Sequence, residues 1–232
     1  NEVYIRSKNY FIGNERTKSN KMQAGNYVYT FACVLPNHLP ESLKIYNNKI
    51  EYKVEAVLLI PWTLDKKKFA PFTIMRNDSL KDFPALSHPM QLEDENSFCC
   101  NKGICTMKAS IPQGVFAVGD MVPISIECEN LSTVDIKNIT IKIIQKPSCT
   151  SSSPEVKTKP FPSKCLNKAR VEGVKSGCIL KSREVLIQVP STANRSNETY
   201  CKVVTANHIL EVRCNTSWFH FDLLVQFPIT II

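Results

Sequence analysis

Glycine is scarce in this chain of 232 residues, with 7 against 14 prolines. No glycine-rich phosphate loop and no nucleophile elbow occurs, so the best-known nucleotide-binding and hydrolase signatures are missing. The histidines are His38, His88, His208 and His220, and they show no metal-ligand spacing. No apolar run approaches the roughly 20 residues of a membrane-spanning helix. No segment keeps a helical period over three turns. Together these absences leave no catalytic or cofactor site to name, and no metal site among the histidines.

What is present is charge, cysteine and a period of two. The formal net charge is +8. Residues 97–232 hold 16 Lys and Arg against 10 Asp and Glu, whereas residues 1–96 hold 13 against 11. Between Lys137 and Arg183 there are 11 basic residues against Glu155 and Glu172. Such a cluster attracts phosphate or anionic headgroups, and the plain alternative is a solvated lysine-rich loop. Lys157, Lys159, Lys164, Lys168, Arg170 and Lys175 are the candidate anion or membrane contacts. Phe161 is the only aromatic in that stretch, which argues against a stacking platform for nucleic acid.

Ten cysteines allow disulfides in a secreted chain or buried thiols in a cytosolic one. Cys99, Cys100, Cys105 and Cys128 form a weak zinc candidate. Neighbouring strand residues point to opposite faces, so Cys99 and Cys100 do not easily share one ion. Asn77, Asn130, Asn138, Asn194, Asn197 and Asn215 each begin an Asn-x-Ser/Thr triplet, which matters only in the secretory pathway. A secreted, glycosylated, disulfide-bonded β-sandwich module therefore stands as an alternative.

Apolar residues alternate along Tyr27–Cys33 and again along Ile50–Ile60, which predicts a strand whose end becomes fully buried. Further strands are expected at 3–12, 70–76, 103–111, 121–128, 134–145, 183–189, 201–213 and 218–231. Short strands between Pro, Asn and Ser clusters predict an all-β chain of antiparallel sandwiches. The polar stretch 77–97 reads as a linker between domains at 1–76 and 98–232. Residues 147–168, rich in Ser, Pro and Lys, read as a long loop. Trp62 and Trp218 sit at strand ends and are expected to pack, with a surface anchor as the alternative for Trp218.

Leu35-Pro36 and Leu39-Pro40 interrupt the chain between two strands. Proline cannot donate to a ladder, so Pro36 ends a strand and Pro40 fixes a second bend. Leu35 and Leu39 can then turn inward to plug a sandwich. Gly25, Phe31, the two Leu-Pro pairs, Glu41-Ser42, Ile50-Glu51-Tyr52-Lys53-Val54 and Pro61-Trp62 follow one another in an order that resembles the N-terminal domain of the arrestin superfamily. The second half agrees with that resemblance. Cys99-Cys100 and Cys105, Phe116-Ala117-Val118-Gly119-Asp120, and Ile124 through Asn130-Leu131-Ser132 resemble the opening of its C-terminal domain, α-arrestins above all. Ile187–Pro190, Cys201 and Asp222–Ile232 resemble its closing strands.

The resemblance implies two tandem antiparallel immunoglobulin-like sandwiches, with the opening strands of the first lying upstream of Asn1. It marks Leu35, Pro36, Leu39, Pro40, Tyr52, Cys99, Cys100, Gly119, Asp120 and Asn130 as fold-motif residues. Functionally it implies a non-enzymatic adaptor, cytoplasmic and peripheral to plasma membrane and endosomes. Such an adaptor binds cytosolic tails of membrane proteins, to which the charge clustering adds attraction of phosphate or anionic lipid by the basic residues. In α-arrestins a PPxY-bearing tail recruits WW-domain ubiquitin ligases, but no PPxY occurs here, and Val118 stands where the family has proline. A retromer-type arrestin fold, serving as a structural subunit of a sorting coat, stands as a second alternative for this chain.

Overall fold

A computed structural model describes residues 2–14, 20–97, 103–150, 158–216 and 222–232. Apart from two short 3-10 turns at Leu80–Asp82 and Pro84–Leu86, its regular elements are strands, so the chain is all-β. It divides into two compact units, Asn1–Arg76 and Asn77–Ile232.

The first unit holds two hairpins. β1 (Leu43–Ile45) pairs with β2 (Asn48–Ile50), and β3 (Tyr52–Leu58) pairs with β4 (Lys66–Phe72), both antiparallel. A small core gathers Leu39, Pro40, Leu43, Ile45, Ile50 and Tyr52. The Leu-Pro segment closes it. Leu39 N–H donates to the Pro36 carbonyl at 3.4 Å, and the buried Tyr52 hydroxyl donates to the Pro40 carbonyl at 2.7 Å. Arg76 donates to the carbonyls of Asn37 and Leu39, at 3.2 Å each. Ser42 and Ile74 exchange two further bonds, at 2.9 and 3.0 Å.

Four expectations for this unit are corrected. Leu39 turns inward, but Leu35 stays 43% exposed, because the bend at Pro36 leaves only one of the two leucines over the core. Residues 3–12 and 27–33 form no strand among the described residues, since they find no ladder partner. β3 runs from buried Tyr52 to exposed Leu58, the reverse of the expected taper, as its far end extends beyond the small core. The strand expected at 70–76 lies earlier, at 66–72.

The second unit is a sandwich of two sheets. β5 (Met90–Ser97), β6 (Ile104–Ile111), β8 (Met121–Asn130) and β12 (Cys178–Gln188) form one sheet in the order β12-β8-β6-β5. β9 (Ile136–Thr150) pairs on one side with both β10 (Thr158–Pro160) and β11 (Lys164–Glu172). On its other side follow β13 (Val204–Thr216), β14 (Leu223–Ile231) and the two-residue β7 (Val115–Phe116). Alternation supplies the core. Met107, Ile124, Ile126, Ile139, Ile141, Ile143, Leu210, Val212 and Phe227 are fully buried between the sheets, and each such side chain contributes about 1.5–3 kcal/mol.

Two segments differ from their sequence reading. Residues 90–97 are not linker but strand β5, paired along its length with β6. Its outward positions carry Glu93 and Glu95, so the alternation hides behind acidic side chains. Residues 147–168 are not one long loop: β9 continues to Thr150, and β10 and the start of β11 lie within the stretch. Pro160 is tolerated because β10 pairs on one side only.

Candidate functional site

The basic candidates are sorted by the register of β11. Val171 and Ala169 lie opposite Ile139 and Ile141, so they face the sandwich interior. Lys168 and Arg170, opposite Lys142 and Thr140, therefore face outward. A bulge between Cys165 and Asn167 shifts the register, leaving Lys164 opposite the buried Gln145 and out of phase with Lys168. Lys159 sits opposite Cys149 on β10. Lys175 lies in the turn after β11, 3.3 Å from Asp135. Lys157 lies outside the described residues. The structure thus gathers Lys168 and Arg170 with Lys142 on one outer face and disperses the others.

That face is built around Glu211 of β13, which is almost fully buried. Its carboxylate accepts from Lys142 Nζ at 3.2 Å and from Gln226 Nε2 at 3.0 Å, with Arg213 Nε 3.4 Å away. Burial by itself favours the protonated acid. The hydrogen bonds from Gln226 and Lys142, with the charges of Lys142 and Arg213, outweigh it and hold Glu211 below the ordinary carboxylate range. Lys142 is thereby committed to Glu211. Lys168 and Arg170 have no acidic partner among the described residues, so their charge is available to a ligand. Sequence clustering could not find Lys142 as their neighbour, because strand register, not proximity along the chain, makes it one.

The opposite outer face, on the four-stranded sheet, carries the other sign. Glu93 faces Lys108, which faces Glu127, while Glu95, Thr106 and Glu129 form the adjacent row. Lys108 pairs with Glu93 at 3.5 Å.

The fold-motif residues of the second unit hold its turns. The Asp120 carboxylate accepts from Ala117 N–H at 2.7 Å, and Asp120 N–H returns to the Ala117 carbonyl at 3.1 Å. Gly119 between them has φ +95°, a conformation that favours glycine. Asn130 is fully buried. Its amide donates to the carbonyls of Val134 and Val174 at 2.9 and 3.1 Å, and its oxygen accepts from the Ser132 hydroxyl at 2.6 Å. Cys99 and Cys100 lie outside the described residues.

The same geometry bears on the secreted alternative. Asn130 and Asn197 both head Asn-x-Ser/Thr triplets, yet both side chains are buried and hydrogen-bonded, so a glycan on either would prevent the fold. The eight described cysteines are free thiols. Cys105 and Cys128 lie buried with their sulfurs 4.0 Å apart. Contact with Cys128 and burial push the Cys105 thiol up. Contact with Cys105 favours the Cys128 thiolate, but Cys214 and burial outweigh that and push Cys128 up to about 12. Both thiols are neutral and serve as core.

Two stacked sheets, antiparallel but for the short parallel pairing of β14 with β7, with an apolar interior and charged outer faces, place the second unit among the immunoglobulin-like sandwiches. The chain belongs to the arrestin family: residues 101–232 match the arrestin (or S-antigen) C-terminal domain, and residues 1–81 match the arrestin (or S-antigen) N-terminal domain. Proteins of this family are in general non-enzymatic adaptors that bind membrane-protein cargo.

Proposed function

We propose that this chain is an α-arrestin-type adaptor, cytoplasmic and peripheral to plasma membrane and endosomes. In this reading it recognises cytosolic portions of membrane proteins and routes them through endocytosis or endosomal sorting. Where a PPxY-bearing tail accompanies it, it couples them to WW-domain ubiquitin ligases. The observation that carries the reading is the match of both arrestin domains, in order, along one chain. Depleting the protein and measuring cell-surface membrane proteins by biotinylation tests it. Accumulation of particular multi-pass proteins at the surface is expected, and an unchanged surface would overturn the role.

For recognition we assign attraction of phosphate or anionic lipid to the basic residues Lys157, Lys159, Lys164, Lys168, Arg170 and Lys175. Lys168 and Arg170 contribute most, because they share one outer face and lack an acidic partner among the described residues. Such attraction weakens as salt shortens the screening length. Reversing Lys168 and Arg170 to glutamate should remove most salt-sensitive binding to phosphopeptides or anionic vesicles in co-sedimentation. Reversing Lys175, already paired with Asp135, should change it little.

A further inference from the structure

The connection between β3 and β4 is built to project apolar side chains. Thr63 N–H donates to the Ile60 carbonyl at 3.3 Å and closes a four-residue turn, Ile60-Pro61-Trp62-Thr63. Pro61 occupies the second position, where its fixed φ suits the turn. Trp62 occupies the third with φ +64°, a left-handed conformation normally left to Gly or Asn. The turn thus carries a bulky aromatic where a small residue would be unstrained. That side chain is fully exposed, Leu64 beside it is 92% exposed, and Leu59 is 68% exposed.

Charge lies directly below this tip. Lys66, Lys67 and Lys68 begin β4, and all are exposed. Lys66 and Lys68 share a face with Leu58 by the strand register and have no acidic partner among the described residues. Lys67 is within 3.8 Å of Glu55 on the other face. Val28 and Val34 are as exposed as the tip residues, but they lie outside any strand, not in a turn that holds an aromatic outward against its backbone preference.

We infer that the β3–β4 tip inserts Trp62, Leu59 and Leu64 into the interface of an anionic bilayer, with Lys66 and Lys68 on the headgroups. The shape selects this occupant. The turn presents the side chains of Trp62 and Leu64 to solvent. A tryptophan with flanking leucines above a lysine row matches the apolar boundary and negative headgroups of an interface. This contact is separate from the adaptor role. Cargo routing could fail with insertion intact, and insertion could fail with routing intact.

The test is tryptophan fluorescence of the whole chain with vesicles of phosphatidylcholine and phosphatidylserine, using bromine-labelled lipid as a quencher. The chain holds two tryptophans, so Trp62→Phe supplies the difference spectrum. The Trp62 emission should shift to the blue and be quenched in anionic vesicles, and much less in phosphatidylcholine alone. In a chain already carrying Lys168→Glu and Arg170→Glu, Leu64→Asp should weaken the remaining vesicle binding, and Lys66→Glu with Lys68→Glu should abolish its remaining preference for phosphatidylserine. A Trp62 emission unchanged by either vesicle overturns the proposal, as does vesicle binding by that chain that Leu64→Asp leaves intact. Equal quenching in neutral and anionic vesicles overturns the part given to the lysines.

Discussion

At the scale of single residues, buried polar groups carry the sharpest expectations. Asn130 satisfies two carbonyls and a hydroxyl where water does not reach. Asn130→Ala strands those groups and should cost about 3 kcal/mol in urea unfolding. His208 is buried on β13, with Nδ1 2.9 Å from the Ser196 hydroxyl and Nε2 without a partner among the described residues. Burial lowers its pKa from 6.5 to about 4. The unfolded chain therefore binds this proton first as pH falls, and stability present above about 6.5 is lost between 6.5 and 4. At pH 5 the loss is about 2 kcal/mol. His208→Gln should flatten that part of a stability profile taken by urea unfolding at several pH values. The sequence motif marked Asn130 as a turn residue, but not its bonding, which depends on Val174 arriving from a distant part of the chain. Trp62 was illegible for a different reason: aromatics at strand ends usually pack, and the left-handed turn exists only in three dimensions.

Among the elements, legibility followed burial. Strands with one wholly apolar face, such as β6, β8 and β9, are plain in the alternation of Met107, Ala109, Ile124, Ile126, Ile139 and Ile141. β5 and β11 were missed because they are edge strands. Their inward positions are small, polar or half-buried, and their outward positions carry charge. The turn leaving β11 depends on Gly173, where an added Cβ would lie 1.9 Å from the Ile136 carbonyl oxygen. Gly173→Ala should cost about 3 kcal/mol or more, seen as a lowered thermal midpoint. β14 shows how an edge is closed. Leu224 N–H is taken by the Asp94 carboxylate at 2.7 Å, Pro228 has no N–H to offer, and Thr230 N–H goes to the Gly114 carbonyl at 2.7 Å. Such blocking discourages pairing with a second chain. Asp94→Ala should therefore promote association, measurable by light scattering at rising concentration.

For the whole molecule, the main core cluster lies wholly within residues 105–231 of the second unit. A fragment spanning 77–232 should thus unfold cooperatively by itself, as one transition in both circular dichroism and fluorescence. Its thiols should report the same division. Cys165 and Cys178 are exposed and should react quickly with a thiol reagent in the native state, whereas Cys105, Cys128, Cys201 and Cys214 should react only on unfolding. The overall β class was readable in the sequence because proline punctuation and two-residue alternation are local. The grouping of charges was not, because it depends on which strands become neighbours. One sheet of the second unit turns Glu93, Glu95, Glu127 and Glu129 outward, and the other turns Lys142, Lys168 and Arg170 outward. A body charged in this way has an electric moment running through its thickness. Near a charged plane it feels a torque before it feels a contact, so it arrives already turned. Its orientation on approach is decided at a distance of about one Debye length, roughly 8 Å in physiological salt, and raising the salt should scramble that orientation before it abolishes binding.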